Sequence, residues 1–146
     1  MIYWDTACVV KLYTPESDSV AYLELAGASA EPMASSEILG VELVYALQQK
    51  ELRGDLKPGS AERIRQKFTA DVTAGRWLLV PVGSDVLARA SQVAHRCYHH
   101  RPPVPLRTVD GLHLATALVL TVRELVTTDQ RLRRAAALFD LSVVPV

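Results

Sequence analysis

The stretch Met1-Ile2-Tyr3-Trp4-Asp5-Thr6-Ala7-Cys8-Val9-Val10-Lys11-Leu12-Tyr13 decides how the rest of the chain is read. Ile2-Tyr3-Trp4 is a short β-type run, and Thr6 to Tyr13 reads as a short helix that Pro15 closes. Asp5 stands between the two. Outward from this opening, short apolar runs keep alternating with helical patterns. Asp18 to about Ala26 carries apolar positions at Val20, Leu23 and Leu25 and ends near Gly27. Met33-Ala34-Ser35 is a short strand. Glu37 to Leu52 is a helix with Gly54 just beyond its end, and Pro58 to Ala74 is a more polar one. Trp77-Leu78-Leu79-Val80 is a buried strand, and Ser84 to Tyr98 a helix with Ser84 as its cap. A loop rich in breakers, His100-Arg101-Pro102-Pro103-Val104-Pro105, leads to a long apolar helix from Thr108 to Val122. Leu125-Val126-Thr127 is a strand, Asp129 to Leu138 a helix, and Leu141-Ser142-Val143-Val144 the last strand.

Strands that alternate with helices imply right-handed crossovers and a parallel sheet covered on both faces. The expected fold is an α/β three-layer α/β/α sandwich with a central parallel sheet of four or five strands. No composition break divides it, so a single domain spans residues 1–146.

Composition narrows the function. Sixteen basic and sixteen acidic residues leave a formal net charge of zero. Coating of a nucleic-acid duplex by bulk electrostatics is therefore disfavoured, whereas a nuclease is not. Cys8 and Cys97 lack C-x-x-C spacing, so neither a zinc ribbon nor a redox motif is expected. The opening residues lack a basic n-region, and Asp5 interrupts any signal-peptide core. No run approaches the ~18 apolar residues of a membrane span. A cytoplasmic protein without a membrane segment is the expectation.

In a parallel sheet the helix N-termini gather at the edge where the strands end, and ligands bind there. Asp5 and Asp129 each fall between a strand and a helix, and Asp110 begins a helix. Topology therefore places the three at one edge. Each, taken singly, also suits an N-cap. Glu42 adds weight to a site. Its neighbours at three and four residues are Ile38, Leu39, Tyr45 and Ala46, so it is expected on the inward side of its helix. A charge buried there without a partner costs several kcal/mol or forces protonation. A cation shared with the other carboxylates removes that cost, and a nearby Lys or Arg is the alternative. An all-oxygen set suits Mg²⁺ or Mn²⁺ and not zinc, which is the chemistry of phosphodiester hydrolysis. Glu37 and Glu51 look like solvent-facing charges.

These residues resemble the PIN-domain ribonucleases, especially the small VapC-like toxins of bacterial type II toxin–antitoxin pairs. Met1-Ile2-Tyr3-Trp4-Asp5-Thr6-Ala7 is similar to the family's opening strand with its first Asp. Ile38-Leu39-Gly40-Val41-Glu42-Leu43-Val44-Tyr45-Ala46-Leu47 is similar to the helix bearing its Glu. Thr108-Val109-Asp110-Gly111-Leu112-His113-Leu114-Ala115-Thr116-Ala117-Leu118 is the most specific match, and Leu125-Val126-Thr127-Thr128-Asp129-Gln130-Arg131-Leu132 matches the final acidic motif. The resemblance implies Mg²⁺- or Mn²⁺-dependent RNA cleavage, with a metal-activated water attacking in line at Asp5, Glu42, Asp110 and Asp129. It also implies a homodimer and a VapB-like antitoxin that inserts a segment near the acidic pocket. Ala7 departs from the usual Ser or Asn, and Gly111 from the usual Ala.

Thr6 and Thr127 adjoin two of these residues, where their hydroxyls would orient carboxylates or a water, unless they are simply β-branched strand-end residues. Arg107 and Arg131 are candidates for RNA contact, with Arg133 and Arg134 read as a solvated face. His95 and His99 have helical metal-pair spacing, and the group Arg96, Tyr98, His99, His100 and Arg101 offers an RNA contact instead. Both readings are weaker than that of a polar helix end. His113, one turn after Asp110, is expected to bond within the core. The competing function is a non-catalytic PIN-fold module that binds RNA or protein. An Asp-nucleophile phosphotransferase is disfavoured because no D-x-D follows the first strand.

Overall fold

A computed structural model describes residues 1–145. Its elements follow the expected alternation: β1 (Ile2–Trp4), α1 (Thr6–Tyr13), α2 (Ser19–Gly27), β2 (Met33–Ser36), α3 (Leu39–Leu52), α4 (Ser60–Thr73), β3 (Trp77–Val80), α5 (Ser84–His99), α6 (Thr108–Val119), β4 (Glu124–Val126), α7 (Gln130–Ala137) and β5 (Ser142–Val144). The five strands form one sheet in the order β3-β2-β1-β4-β5, with every neighbouring pair parallel.

Successive strand side chains point to opposite faces, and each face of this sheet has its own core. Tyr3 and Leu125 belong to a cluster with Val86, Val93, Leu114 and Leu132, built with α5, α6 and α7. Trp4 and Val126 belong to the other, with Val9, Leu39, Leu43, Phe68 and Trp77, built with α1, α3 and α4. Helices therefore cover both faces, which completes a three-layer α/β/α sandwich.

The strand order also fixes where a ligand has room. From β1 the chain moves outward through β2 to β3, then returns to place β4 on the other side of β1 and continues outward to β5. Connections leaving β1 and β4 thus diverge, and a crevice opens between the C-terminal ends of these two strands. Register sets Trp4 opposite Val126, and the Asp5 amide donates to the Val126 carbonyl at 3.1 Å. Asp5 and Thr127 are consequently side by side at that crevice.

Several local expectations need correction. Ser84 is the first helical residue of α5, and Gly83 occupies the cap position without a side-chain bond. The Glu51 carboxylate is not simply a solvent-facing charge. It accepts the Gly59 and Ala61 amides, both at 2.9 Å, and so caps α4 from α3. Glu37 is exposed, yet its carboxylate accepts the Val82 amide at 2.8 Å and ties the end of β3 to the start of α3. The long apolar helix α6 stops at Val119, three residues before the expected end.

Candidate metal centre

Asp5 is the N-cap of α1: its Oδ1 accepts the Cys8 amide at 2.9 Å, as expected of an Asp that follows a strand. Only 6% of its surface is exposed. Its Oδ2 accepts the hydroxyl of Thr127, which is fully buried. Burial nevertheless outweighs these bonds and pushes the Asp5 carboxyl above the usual range. An ionised Asp5 is therefore a group whose charge the fold only partly compensates.

Thr127 joins Asp5 to Asp129, because the same hydroxyl oxygen accepts the Asp129 amide at 3.1 Å. Asp129 caps α7 through Oδ1, which accepts the amides of Arg131 at 2.8 Å and Leu132 at 2.9 Å. Its Oδ2 accepts no hydrogen bond among the described residues. Arg133 reaches back to the Thr127 carbonyl at 3.0 Å and stiffens this turn.

Glu42 lies in the first turn of α3. It is half-buried, with its side chain 29% exposed, so it sits at the border of the apolar face and not wholly inside it. Tyr45, expected beside it on the inward side, is exposed. Its partners are neither Lys nor Arg. Glu42 Oε2 accepts from Thr6 Oγ1 at 2.5 Å and lies 2.6 Å from His113 Nε2. Burial opposes ionisation of Glu42, but the bonds from His113 and Thr6 prevail and hold its carboxyl below the usual range. Its Oε1 accepts no hydrogen bond among the described residues.

Asp110 is in the first turn of α6, where Arg107 meets it with Nε to Oδ2 at 2.9 Å and Nη2 to Oδ1 at 3.4 Å. Asp110 foremost, and Asp129 and Glu42 behind it, raise the Arg107 guanidinium above its ordinary value. Arg107 is thus in the field of three of the four carboxylates. A cleft of about 250 Å³ between α3 and α6 is lined by Glu42, Arg107, Thr108, Val109 and Asp110.

A continuous path of contacts therefore runs from Asp129 through Thr127 to Asp5, across Thr6 to Glu42, and over the cleft to Asp110. Among the described residues, no three His, Cys, Asp or Glu side chains are drawn close enough to hold an ion as they stand. Like charges repel, and Arg107 already engages Asp110. That Arg side chain is 71% exposed, so its pairing with Asp110 contributes little and would cost little to give up. The donor set itself fits a hard divalent ion: all four groups are carboxylates, and Glu42 and Asp129 each have one oxygen anchored to the protein and one oxygen free.

The other singled-out residues lie elsewhere or play local parts. The Arg131 side chain is exposed at the start of α7. The rings of His95 and His99 stack at 4.1 Å on the exposed end of α5, and His99 Nδ1 is 2.9 Å from the His95 carbonyl oxygen. His113 is in the core, as its position on α6 suggested. Its bond to Glu42 was the missed feature, although its spacing of three residues from Asp110 places it one turn along the same side of α6.

The chain matches the PIN domain family over residues 2–138. It is 32% identical to Ribonuclease VapC46 of Mycobacterium tuberculosis over 148 residues, covering 98% of this chain and 95% of that protein. Among solved structures, VapBC2 from Rickettsia felis bound to a promoter DNA fragment superposes with a TM-score of 0.66 at 19% identity, covering 98% of this chain and 97% of that one. FitAB bound to an IR36 DNA fragment gives 0.67 at 21% identity, covering 98% and 93%. These structural likenesses speak to the fold.

Proposed function

Since the chain belongs to the PIN domain family and is VapC-like, we propose that it is a Mg²⁺- or Mn²⁺-dependent endoribonuclease, the toxin of a toxin–antitoxin pair. The observation that carries this reading is the contiguity of Asp5, Glu42, Asp110 and Asp129 at the crevice between β1 and β4. The four carboxylates would hold the ion, with Glu42 Oε1 and Asp129 Oδ2 the oxygens not otherwise engaged. Bound there, a divalent cation supplies positive charge for phosphodiester hydrolysis and makes water a better nucleophile at neutral pH.

The protein's own groups do the rest. Thr127 and the Cys8 amide fix Asp5, and Thr6 fixes Glu42. Arg107, exposed and lining the cleft, would be available to an RNA phosphate if Asp110 were engaged by the ion, since a guanidinium matches phosphate geometry. Arg131, exposed at the start of α7, is the second candidate for the RNA backbone. The antitoxin partner is inferred from the VapC-like relative and from the toxin–antitoxin complexes among the structural neighbours. We place the toxin in the cytoplasm as a homodimer; among the described residues no helix is long and apolar enough to cross a membrane.

The test is RNA cleavage by purified wild type and Asp110→Asn, with and without added Mg²⁺. Losing several kcal/mol of transition-state stabilisation corresponds to at least about a hundredfold in rate. The wild type is expected to cleave only with metal, and Asp110→Asn to be slower by at least that factor. Equal cleavage by the two proteins overturns the assignment.

A further inference from the structure

We propose that Tyr3 and His113, together with Thr6, form a relay that positions Glu42 for the cation, with His113 Nε2 donating its proton to Glu42 Oε2. The inference rests on the metal-site reading above and names residues outside the carboxylate set.

His113 is 2% exposed and touches a polar group at each ring nitrogen. Tyr3 Oη is 2.8 Å from Nδ1, and Glu42 Oε2 is 2.6 Å from Nε2. An ionised carboxylate only accepts, so the proton belongs on Nε2, and a neutral imidazole then accepts the Tyr3 hydroxyl at Nδ1. The Thr6 hydroxyl donates to the same Glu42 oxygen at 2.5 Å and lies 3.3 Å from Nε2. Two donors converge on Oε2, so rotation of the carboxylate is stopped and Oε1 is left as its ligand oxygen.

The relay is anchored where the fold is most rigid. Tyr3 is fully buried on β1, the central strand, and its ring meets the His113 ring edge-on at 5.9 Å and 72°. The relay ties together β1, α6, α3 and the start of α1, four elements that converge on the site. Packing alone would be served by apolar groups here, whereas a chain of satisfied polar groups ending on a ligand carboxylate is what a metal centre uses to hold that ligand in place. Groups of this kind typically contribute ten- to hundredfold to metal affinity. Tyr3 and His113 are thus positioning residues that act through Glu42.

The experiment is Mn²⁺ titration of the full chain by calorimetry, for the wild type, Tyr3→Phe and Thr6→Val, together with ¹⁵N spectra of the metal-free wild type. Tyr3→Phe removes one hydroxyl from the core, and Thr6→Val reports on the relay if Tyr3→Phe does not fold. The expected result is Mn²⁺ binding weakened about tenfold in each folded variant, with kcat for RNA cleavage restored by excess Mn²⁺. The spectra are expected to show the His113 proton on Nε2 and none on Nδ1. A proton on Nδ1, or variants that bind Mn²⁺ within about twofold of a wild type that does bind, overturns the relay alone. A wild type that binds no Mn²⁺ overturns the metal-site reading and the relay with it.

Discussion

Asp5 shows how one residue serves both folding and the site. As a cap it satisfies a backbone amide of α1, and as a buried carboxylate it carries a charge that burial disfavours. Because its folded pKa lies above the unfolded value, the native state binds the proton more tightly, and this contribution to stability is lost as pH rises through the folded pKa. At neutral pH, ionised Asp5 is a cost in the metal-free protein. Asn caps equally well and carries no charge. Asp5→Asn is therefore expected to raise the metal-free melting temperature, by about 2–4 °C for each kcal/mol relieved, while abolishing the upward shift that millimolar Mn²⁺ gives the wild type. A lower melting temperature would mean that Asp5 is chiefly structural. The capping role and edge position of Asp5 were legible because both depend on near neighbours in sequence. The partner of Glu42 was not, since His113 lies 71 residues away and only the meeting of the N-terminal turns of α3 and α6 at the strand-end edge, from opposite faces of the sheet, brings it within 2.6 Å.

Elements were legible where their ends are set by local chemistry. The bounds of β1, α1 and β3 agree with expectation because Asp5, Pro15 and the Trp77-Leu78-Leu79-Val80 run punctuate them unambiguously. Glu51 was misread because its capping partners belong to the next helix. Solvent exposure of a Glu on a helix face is the default, and nothing in the sequence says that the α3–α4 turn folds Gly59 and Ala61 back onto it. Gly59 makes that return possible with a left-handed φ of 83°, a backbone conformation that side-chain-bearing residues rarely adopt. Hydrogen bonds from the Gly59 and Ala61 amides hold the Glu51 carboxyl below its usual 4.5. For a depressed carboxyl, the added stability is present above the unfolded pKa and lost as pH falls through the folded one. Glu51→Gln should thus lower the melting temperature at pH 7, and the gap to wild type should close as pH drops below about 4.5. A gap that persists unchanged at pH 3 would show that the amide bonds do not depend on the charge.

The whole molecule converts scattered carboxylates into one site through strand order. The alternation of strands and helices foretold a parallel sheet with two covered faces, and the all-parallel order β3-β2-β1-β4-β5, with helices packed on each face, bears this out. Strand order itself was not legible, because equivalent short apolar runs do not say which neighbour each will pair with. It is that order which opens the crevice beside Asp5 and Thr127 and gives the carboxylates their common edge. The central claim is that Asp5, Glu42, Asp110 and Asp129 share a divalent ion at that crevice. The most direct measurement is anomalous diffraction from crystals of the protein soaked in millimolar Mn²⁺. The account predicts a manganese peak within ligand distance of these carboxylates, with Arg107 withdrawn from Asp110. Manganese bound only elsewhere, or no peak at this edge with Arg107 still on Asp110, would contradict it.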